Sequence, residues 1–499
     1  MAVVAVQRDH APMFHLVRPL RRALSTSLVA LFAVLVGCSA ALQDVPERPK
    51  VRRPPNIIYI LADDLGYGEL GCYGQQQIRT PNIDALAKGG MRFTQHYSGA
   101  PVCAPARSVL MTGKASGHST IRDNLEHKPE GQEPIAADDV TIAELLASRG
   151  YVSGGFGKWG LGYPGSVGDP LLRGFDHFYG YNCQRHAHNF YPKYLWNDRE
   201  RVELEGNDGG ARGAQYAQDL IDAATLEFLT ENKNRPFFCY VPSTLPHLAL
   251  QVPDEELAQY SGLWDETPYS GASYQPHPRP RACYAAMISR LDKTVGKIVA
   301  RLSELGLEGD TLILFSSDNG PTHLTPQVDV EFFNSAGGLR GLKGSVYEGG
   351  LRVPLIARWP GQIAAGGVSA HISAFEDLLP TLCELSGATP PPGLDGQSFL
   401  PELLGQAQRA RDYLAWDFPG YGGQLAVRRG RWKALCRNLR NKPDAPLELY
   451  DLEADPAEQH NVAAANPQIA AELRALMIST RSEPTYAQFR FGEYPAIGK

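Results

Sequence analysis

The sequence predicts an α/β fold, with a large, mostly parallel sheet flanked by helices and a smaller antiparallel sheet plus helix toward the C-terminus. Three observations carry this. Short apolar, β-rich runs alternate with helical patterns, as in a chain of βαβ units. One long stretch repeats apolar residues at helical spacing and stops at a glycine. After the Pro-rich break over residues 389–393 the texture changes to short strand-like segments and one closing helix.

The elements follow in order. Residues 1–38 read as a signal peptide: Arg18, Arg21 and Arg22 precede an apolar run over 28–36 that is too short to span a bilayer. The run ends Leu35-Val36-Gly37-Cys38, which resembles the lipobox of bacterial lipoproteins, so Cys38 is the expected lipidation site and the membrane a partner through that anchor. An ordinary signal peptide that contains a cysteine stays open as an alternative, as does a twin-arginine signal at Arg21-Arg22. Either way the expected location is outside the cytoplasm, periplasmic or at the cell surface. Residues 39–54, rich in Pro and charge, read as a tether, residues 55–390 as the main domain and residues 391–499 as a C-terminal subdomain.

Within the main domain the apolar runs are 56–61, 237–241, 311–315 and 353–357. Met287, Ile288, Leu291, Val295, Ile298, Val299, Leu302 and Leu305 mark the long helix, which Gly306 ends. In the C-terminal part, 425–427 and 432–435 read as strands and 469–477 as a helix.

Composition narrows the function. A chain of 499 residues can bury a sizeable core, and 43% hydrophobic with 20% charged residues is ordinary for a soluble globular protein. The net charge of −6 supplies no basic field, which argues against a nucleic-acid partner. Of the eight cysteines, no pair has Cys-x-x-Cys spacing, so no zinc site and no particular disulfide is indicated.

Acidic residues sit where chemistry is expected. The first run delivers Asp63-Asp64 and the third delivers Asp318-Asn319-Gly320, each just past a strand's carboxyl end, the edge at which open α/β sheets bind ligands. Three carboxylates and one amide oxygen are hard donors suited to calcium or magnesium, whereas zinc favours nitrogen and sulfur. Taken singly, each cluster also reads as a turn or helix cap. Between them lies Cys103-Ala104-Pro105-Ala106-Arg107, leading into Leu110-Met111-Thr112-Gly113. Pro105 suits a first helical turn and Gly113 its end, which places Cys103 at the positive end of a helix with Arg107 on the same side. A buried cysteine beside a surface arginine is the alternative.

Cys-x-Pro-x-Arg followed by Leu-Met-Thr-Gly resembles the signature of the type I sulfatases, members of the alkaline-phosphatase-like superfamily, whose cysteine is oxidised after translation to formylglycine. The resemblance extends in chain order through Asp63-Asp64, Gly157-Lys158-Trp159, Asp318-Asn319-Gly320, the stretch from Gly341-Leu342-Lys343-Gly344 to Arg352-Val353-Pro354, and Glu448-Leu449-Tyr450-Asp451-Leu452. It covers about residues 55 to 480 and makes 55–390 a sulfatase catalytic domain. It implies one calcium ion held by Asp63, Asp64, Asp318, Asn319 and the modified Cys103. It also implies Arg107 and Lys158 as supports of the formylglycine, and Lys343 and His247 as the groups facing the sulfate ester. A formylglycine-generating enzyme acting on the Cys103 motif is an implied partner. As an aldehyde hydrate, formylglycine offers an oxygen nucleophile and a second hydroxyl for release of sulfate, which a serine or thiol lacks.

One departure stands out. Many relatives carry Gly-Lys-Trp-His-Leu-Gly, where this chain has Gly157-Lys158-Trp159-Gly160-Leu161-Gly162. The role of that histidine is left unassigned, with His323 and His118 as candidates by proximity in sequence. The loop around Arg185, His186 and His188 groups basic and aromatic residues and is expected to bind substrate oxygens; an ordinary surface loop is the alternative. The expected substrate is a sulfated small molecule or carbohydrate. Two rival functions remain: phosphodiester or phosphonate hydrolysis on the same fold, and non-catalytic binding of sulfated glycans.

Overall fold

The structure is a computed structural model, and it describes residues 54–495. Among these residues fifteen strands form two sheets. The large one contains β1 (Asn56–Ala62), β2 (Met91–Tyr97), β3 (Val152–Lys158), β4 (His177–Tyr181), β5 (Tyr194–Asn197), β6 (Glu200–Glu203), β7 (Phe237–Pro242), β8 (Thr311–Ser317), β9 (Arg352–Arg358), β10 (Gly367–Ser369) and β11 (Ser373–Ala374). Its order is β10-β2-β9-β8-β1-β7-β3-β4-β5-β6, with β11 beside β2. At its centre β8, β1, β7, β3 and β4 are mutually parallel, so their carboxyl ends share one edge.

The sheet is mostly parallel, as the sequence predicts, and the exception among the predicted runs is β9, which contains the run 353–357 and is antiparallel to both β8 and β2. An apolar strand buried on both faces looks the same in either direction, so composition could not orient it. The reversal has a use. The connection from β8 to β9 leaves and re-enters at the same edge, and it contains Lys343.

β1 shows how the core is divided. Ile58 and Ile60 pack in one apolar cluster with residues of α1 (Pro81–Lys88), α4 (Ala217–Glu231) and α5 (Pro280–Glu304). Ile57, Tyr59 and Leu61 pack in the other with residues of α2 (Cys103–Thr112), α3 (Ile142–Ala147) and α6 (Leu378–Ser386). The period of two along the strand thus feeds two helical layers. The predicted long helix is α5, with Met287, Ile288, Leu291, Val295, Ile298 and Leu302 buried and Gly306 in the left-handed conformation just beyond it.

The small sheet is antiparallel, β12 (Leu414–Phe418), β13 (Gln424–Arg429), β14 (Trp432–Arg437) and β15 (Glu448–Asp451), covered on one face by α7 (Pro467–Ser479). Its other face packs Trp416, Phe418, Ala426 and Leu435 against Val102, Val346 and Leu351. It therefore braces the residue before Cys103 and the segment after Lys343. A buried ion cluster adds to this: Lys433 on β14 lies 2.8 Å from Glu348 and 3.0 Å from Glu458, with no part of the three side chains exposed. Among the described residues every cysteine is a free thiol. Cys38, with the signal and tether reading, lies outside the described residues.

Candidate active site

The parallel strands converge their carboxyl ends on one cluster. Asp63 and Asp64 follow β1, Asp318 and Asn319 follow β8, Lys158 is the last residue of β3, and His247 lies in the loop after β7. Cys103 is the first residue of α2, with Pro105 in the first turn and Arg107 one turn after Cys103. Cys103 is 1% exposed, and Arg107, Lys158, Asp63 and Asp318 are fully buried.

Charge explains how such groups stay buried. Arg107 donates from Nη2 to Asp318 Oδ2 at 2.8 Å, lies 3.4 Å from Asp63 Oδ2, and donates from Nη1 to the Lys158 carbonyl at 2.5 Å. Lys158 Nζ donates to Asp63 Oδ2 at 2.5 Å. Lys343 Nζ lies 2.7 Å from Asp64 Oδ1 and 3.3 Å from Cys103 Sγ. Three cations so offset three carboxylates, the condition under which buried ions are tolerated.

The titration behaviour follows. Burial pushes the Asp63 carboxyl up, but Lys158, Arg107 and Lys343 together hold it well below the usual carboxylate range. Asp318 goes the other way, to about 6, because burial and the neighbouring Asp63 outweigh Arg107. Burial raises the Cys103 thiol, helped by Asp318 and Asp63. Burial opposes the charge on Lys343, yet Asp64, Cys103 and Asp63 keep it protonated far above neutrality. Burial and Lys343 press His247 toward its neutral form.

The donor set fits a hard divalent cation. Asn319 Nδ2 donates to Asp64 Oδ1 at 2.8 Å and to the Gly320 carbonyl at 2.8 Å, which turns Oδ1 the other way, buried and without a hydrogen-bond partner. An orphaned amide oxygen beside three carboxylates is what an oxygen-preferring ion would satisfy. Donor atoms of Asp63, Asp64, Cys103 and His247 lie within 4.8 Å of one another. Asp64 holds φ at +63°, a left-handed conformation that non-glycine residues adopt at a cost and often at functional sites.

A family model described as sulfatase matches residues 55–388, and one described as N-sulphoglucosamine sulphohydrolase, C-terminal, matches residues 342–483. The chain belongs to the sulfatase family. It is a sulfuric ester hydrolase by that membership, 34% identical to arylsulfatase A of Homo sapiens across 86% of this chain and 88% of that protein. It is 28% identical to the N-acetylgalactosamine-6-O-sulfatase of Bacteroides thetaiotaomicron, covering 90% and 97% of the two chains. A solved structure, Ps i-CgsB in complex with k-i-k-neocarrahexaose, superposes with a TM-score of 0.72 at 29% identity, covering 87% of this chain and 95% of that one.

In this sulfatase a cavity of about 430 Å³ opens above Cys103, with Asp64, His247 and Lys343 in its wall. His247 Nδ1 lies 2.5 Å from the Leu248 carbonyl, so it carries its proton there and turns Nε2 toward Asp64 Oδ2, 3.5 Å away. His188 stacks on His247 with ring centroids 4.2 Å apart and lines the cavity. The other loop residues divide. Arg185 reaches the cavity wall but is spent on Glu126, 2.7 Å away, while His186 turns out of the cavity to Glu130 and Tyr194. Positions two apart in this 3₁₀ turn do not share a face. His323 lines the cavity, whereas His118 is paired with Asp395 at 2.9 Å outside its wall, which removes it as a replacement for the missing histidine.

Sequence reasoning did not find Asn124, Gln132, Gln184, Tyr274 and Tyr421, which also line the cavity. They come from irregular loops, and no spacing or charge marks them. Gln184 explains Gly160: a Cβ built there would sit 3.1 Å from Gln184 Nε2, and the glycine holds φ at +75°. Gly160→His is therefore expected to cost about 1–2 kcal/mol of stability and to raise no turnover. Denaturant unfolding and sulfatase assays check this, and a stable, faster variant would contradict it.

Proposed function

We propose that this sulfatase hydrolyses sulfate esters on carbohydrates, with Cys103 converted to formylglycine and a calcium ion held by Asp63, Asp64, Asp318 and Asn319. One observation carries the reading: Cys103 Sγ lies 3.3 Å from both Asp63 Oδ1 and Lys343 Nζ, at the N-terminus of α2 and the floor of the cavity. Formylglycine would supply an oxygen nucleophile there, and calcium would add positive charge to a cluster whose own charges cancel. The relatives named for galactosamine sulfate and the neighbour bound to neocarrahexaose support a carbohydrate substrate.

The chain's own residues have distinct tasks. Arg107 and Lys158 fix Asp63 and Asp318 from below, out of reach of the cavity. Lys343, protonated and beside Cys103, faces the sulfate and donates its proton to the departing alcohol oxygen. His247, with Nδ1 tied to Leu248, offers Nε2 as an acceptor on the cavity side. Around them the cavity wall is mostly polar, with Leu248, Leu324, Tyr274 and Tyr421 as its apolar part.

Mass analysis of the Cys103 tryptic peptide from active protein tests the modification, with an aldehyde expected; an intact thiol in active enzyme would exclude it. Chelation tests the ion. Activity is expected to disappear on exhaustive chelation and to return with calcium but not with zinc. Retained activity in metal-free protein would remove calcium from the account. Comparing sulfate with phosphate and phosphonate esters tests the reaction class, with sulfate esters preferred.

We also propose export and tethering through Cys38, on the strength of the Leu35-Val36-Gly37-Cys38 ending. A formylglycine-generating enzyme is then the partner that matures the chain. Metabolic labelling with a fatty-acid analogue, lost in Cys38→Ser, is the expected result; unlabelled protein would rule out the anchor.

A further inference from the structure

We propose that Asn124 and Gln184 form the part of the cavity that reads the substrate beside its sulfate, and that what they read is a free hydroxyl close to the sulfated carbon. The inference rests on the sulfated-carbohydrate reading above and adds a specificity determinant to it.

The orientation of both amides follows from one backbone group. The Ala104 N–H can only donate, so the Asn124 atom 3.0 Å from it is the carbonyl oxygen Oδ1. Gln184 must then present its nitrogen to that same oxygen, and Nε2 lies 3.3 Å away. Two free ends remain: the Asn124 Nδ2 donor and the Gln184 Oε1 acceptor, neither with a protein partner among the described residues. Both residues line the cavity together with Cys103.

Position adds to this. Asn124 is anchored on the residue that follows Cys103, so the pair stands beside the reacting centre. Gln184 is only 6% exposed, and its main-chain N–H meets Gln132 Oε1 at 3.4 Å, which steadies it. Gly160 leaves the room that Gln184 fills.

A donor beside an acceptor suits a group that both accepts and donates at one atom. A sugar hydroxyl does so without charge. A second sulfate or a carboxylate only accepts and would meet Gln184 Oε1 with repulsion, while a methylene leaves the carbonyl of the buried Gln184 without a donor. The pair therefore favours sulfated units with a neighbouring unmodified hydroxyl.

The test uses methyl hexoside and N-acetylhexosaminide monosulfates as probes. The best substrate is remade with each ring hydroxyl replaced in turn by hydrogen. One deoxy analogue is expected to lose about 100-fold in kcat/KM with the wild-type enzyme. In Asn124→Ala and in Gln184→Leu the same parent-to-deoxy ratio is expected to fall to about threefold or less. Calorimetric binding of the same two sugars to Cys103→Ala protein repeats the comparison without any modified cysteine. If no member of the panel is turned over or bound, the carbohydrate reading fails and the inference with it. If the parent binds and reacts but no deoxy analogue is disfavoured, or the ratio is unmoved in both variants, the inference is overturned while that reading stands. Asn124 is the exposed partner of the two, so its variant keeps the test valid if loss of the buried Gln184 disturbs folding.

Discussion

Cys103→Ala is expected to lower sulfate ester turnover by at least ~10⁴-fold while leaving the protein folded, because the substitution removes the reacting atom and little else. The thiol touches Asp63 and Lys343, but each of these ions keeps a closer partner without it. Asp63 keeps Lys158 and Arg107, Asp64 keeps Lys343, and α2 remains packed through Val109, Leu110 and Met111. Single-turnover assays on a chromogenic aryl sulfate and on the best sulfated sugar, with a thermal melt as control, measure both sides of the claim. Residual activity within tenfold of wild type would move the nucleophile elsewhere.

Lys433→Met is expected to be the most damaging substitution for stability, at about 3 kcal/mol near neutral pH, since it leaves two buried glutamates without their shared cation. The cost depends on pH. Glu348 is held well below the usual range, against burial, by Arg352 and Lys433. Glu458 is raised from the ordinary 4.5 to about 7, by burial first, with Lys433 opposing and Glu348 adding to the rise. A proton retained by folded Glu458 stabilises fully below the unfolded value, and that contribution is lost as pH rises through about 7. Without Lys433 the proton is held more tightly still, so the variant falls further behind wild type as pH increases. Denaturant unfolding between about pH 5 and pH 8 reads this. A difference that stays constant across that range would show that Glu458 does not titrate there.

Much of the site was legible before any coordinates because its chemistry sits where strands end. Asp63-Asp64 and Asp318-Asn319 follow apolar runs, and the parallel pairing of β1 with β8 brings them together. Cys103 and Arg107 were placed by helix punctuation and motif, Lys343 by family resemblance alone, and His247 by resemblance together with its place after the strand run 237–241. The rest was hidden for physical reasons. The direction of β9 leaves no mark in an apolar strand. The split between His188 and His186 depends on a single turn of 3₁₀ helix, and His118 is drawn off by an aspartate 277 residues away along the chain. Asn124 and Gln184 carry no periodicity, and only the hydrogen bonds to Ala104 and to each other give them meaning.

The burial of Cys103 also sets a schedule. At 1% exposure, beneath a cavity and behind a sheet made of residues 414–451, synthesised well after it, the thiol is out of reach of a modifying enzyme once folding is complete. Under the proposed conversion of Cys103 to formylglycine, maturation and folding compete for the same nascent segment. Any change that speeds closure of the C-terminal sheet over Val102 shortens the interval in which the cysteine can be oxidised, so a stabilised variant would be made in greater yield and with a smaller active fraction.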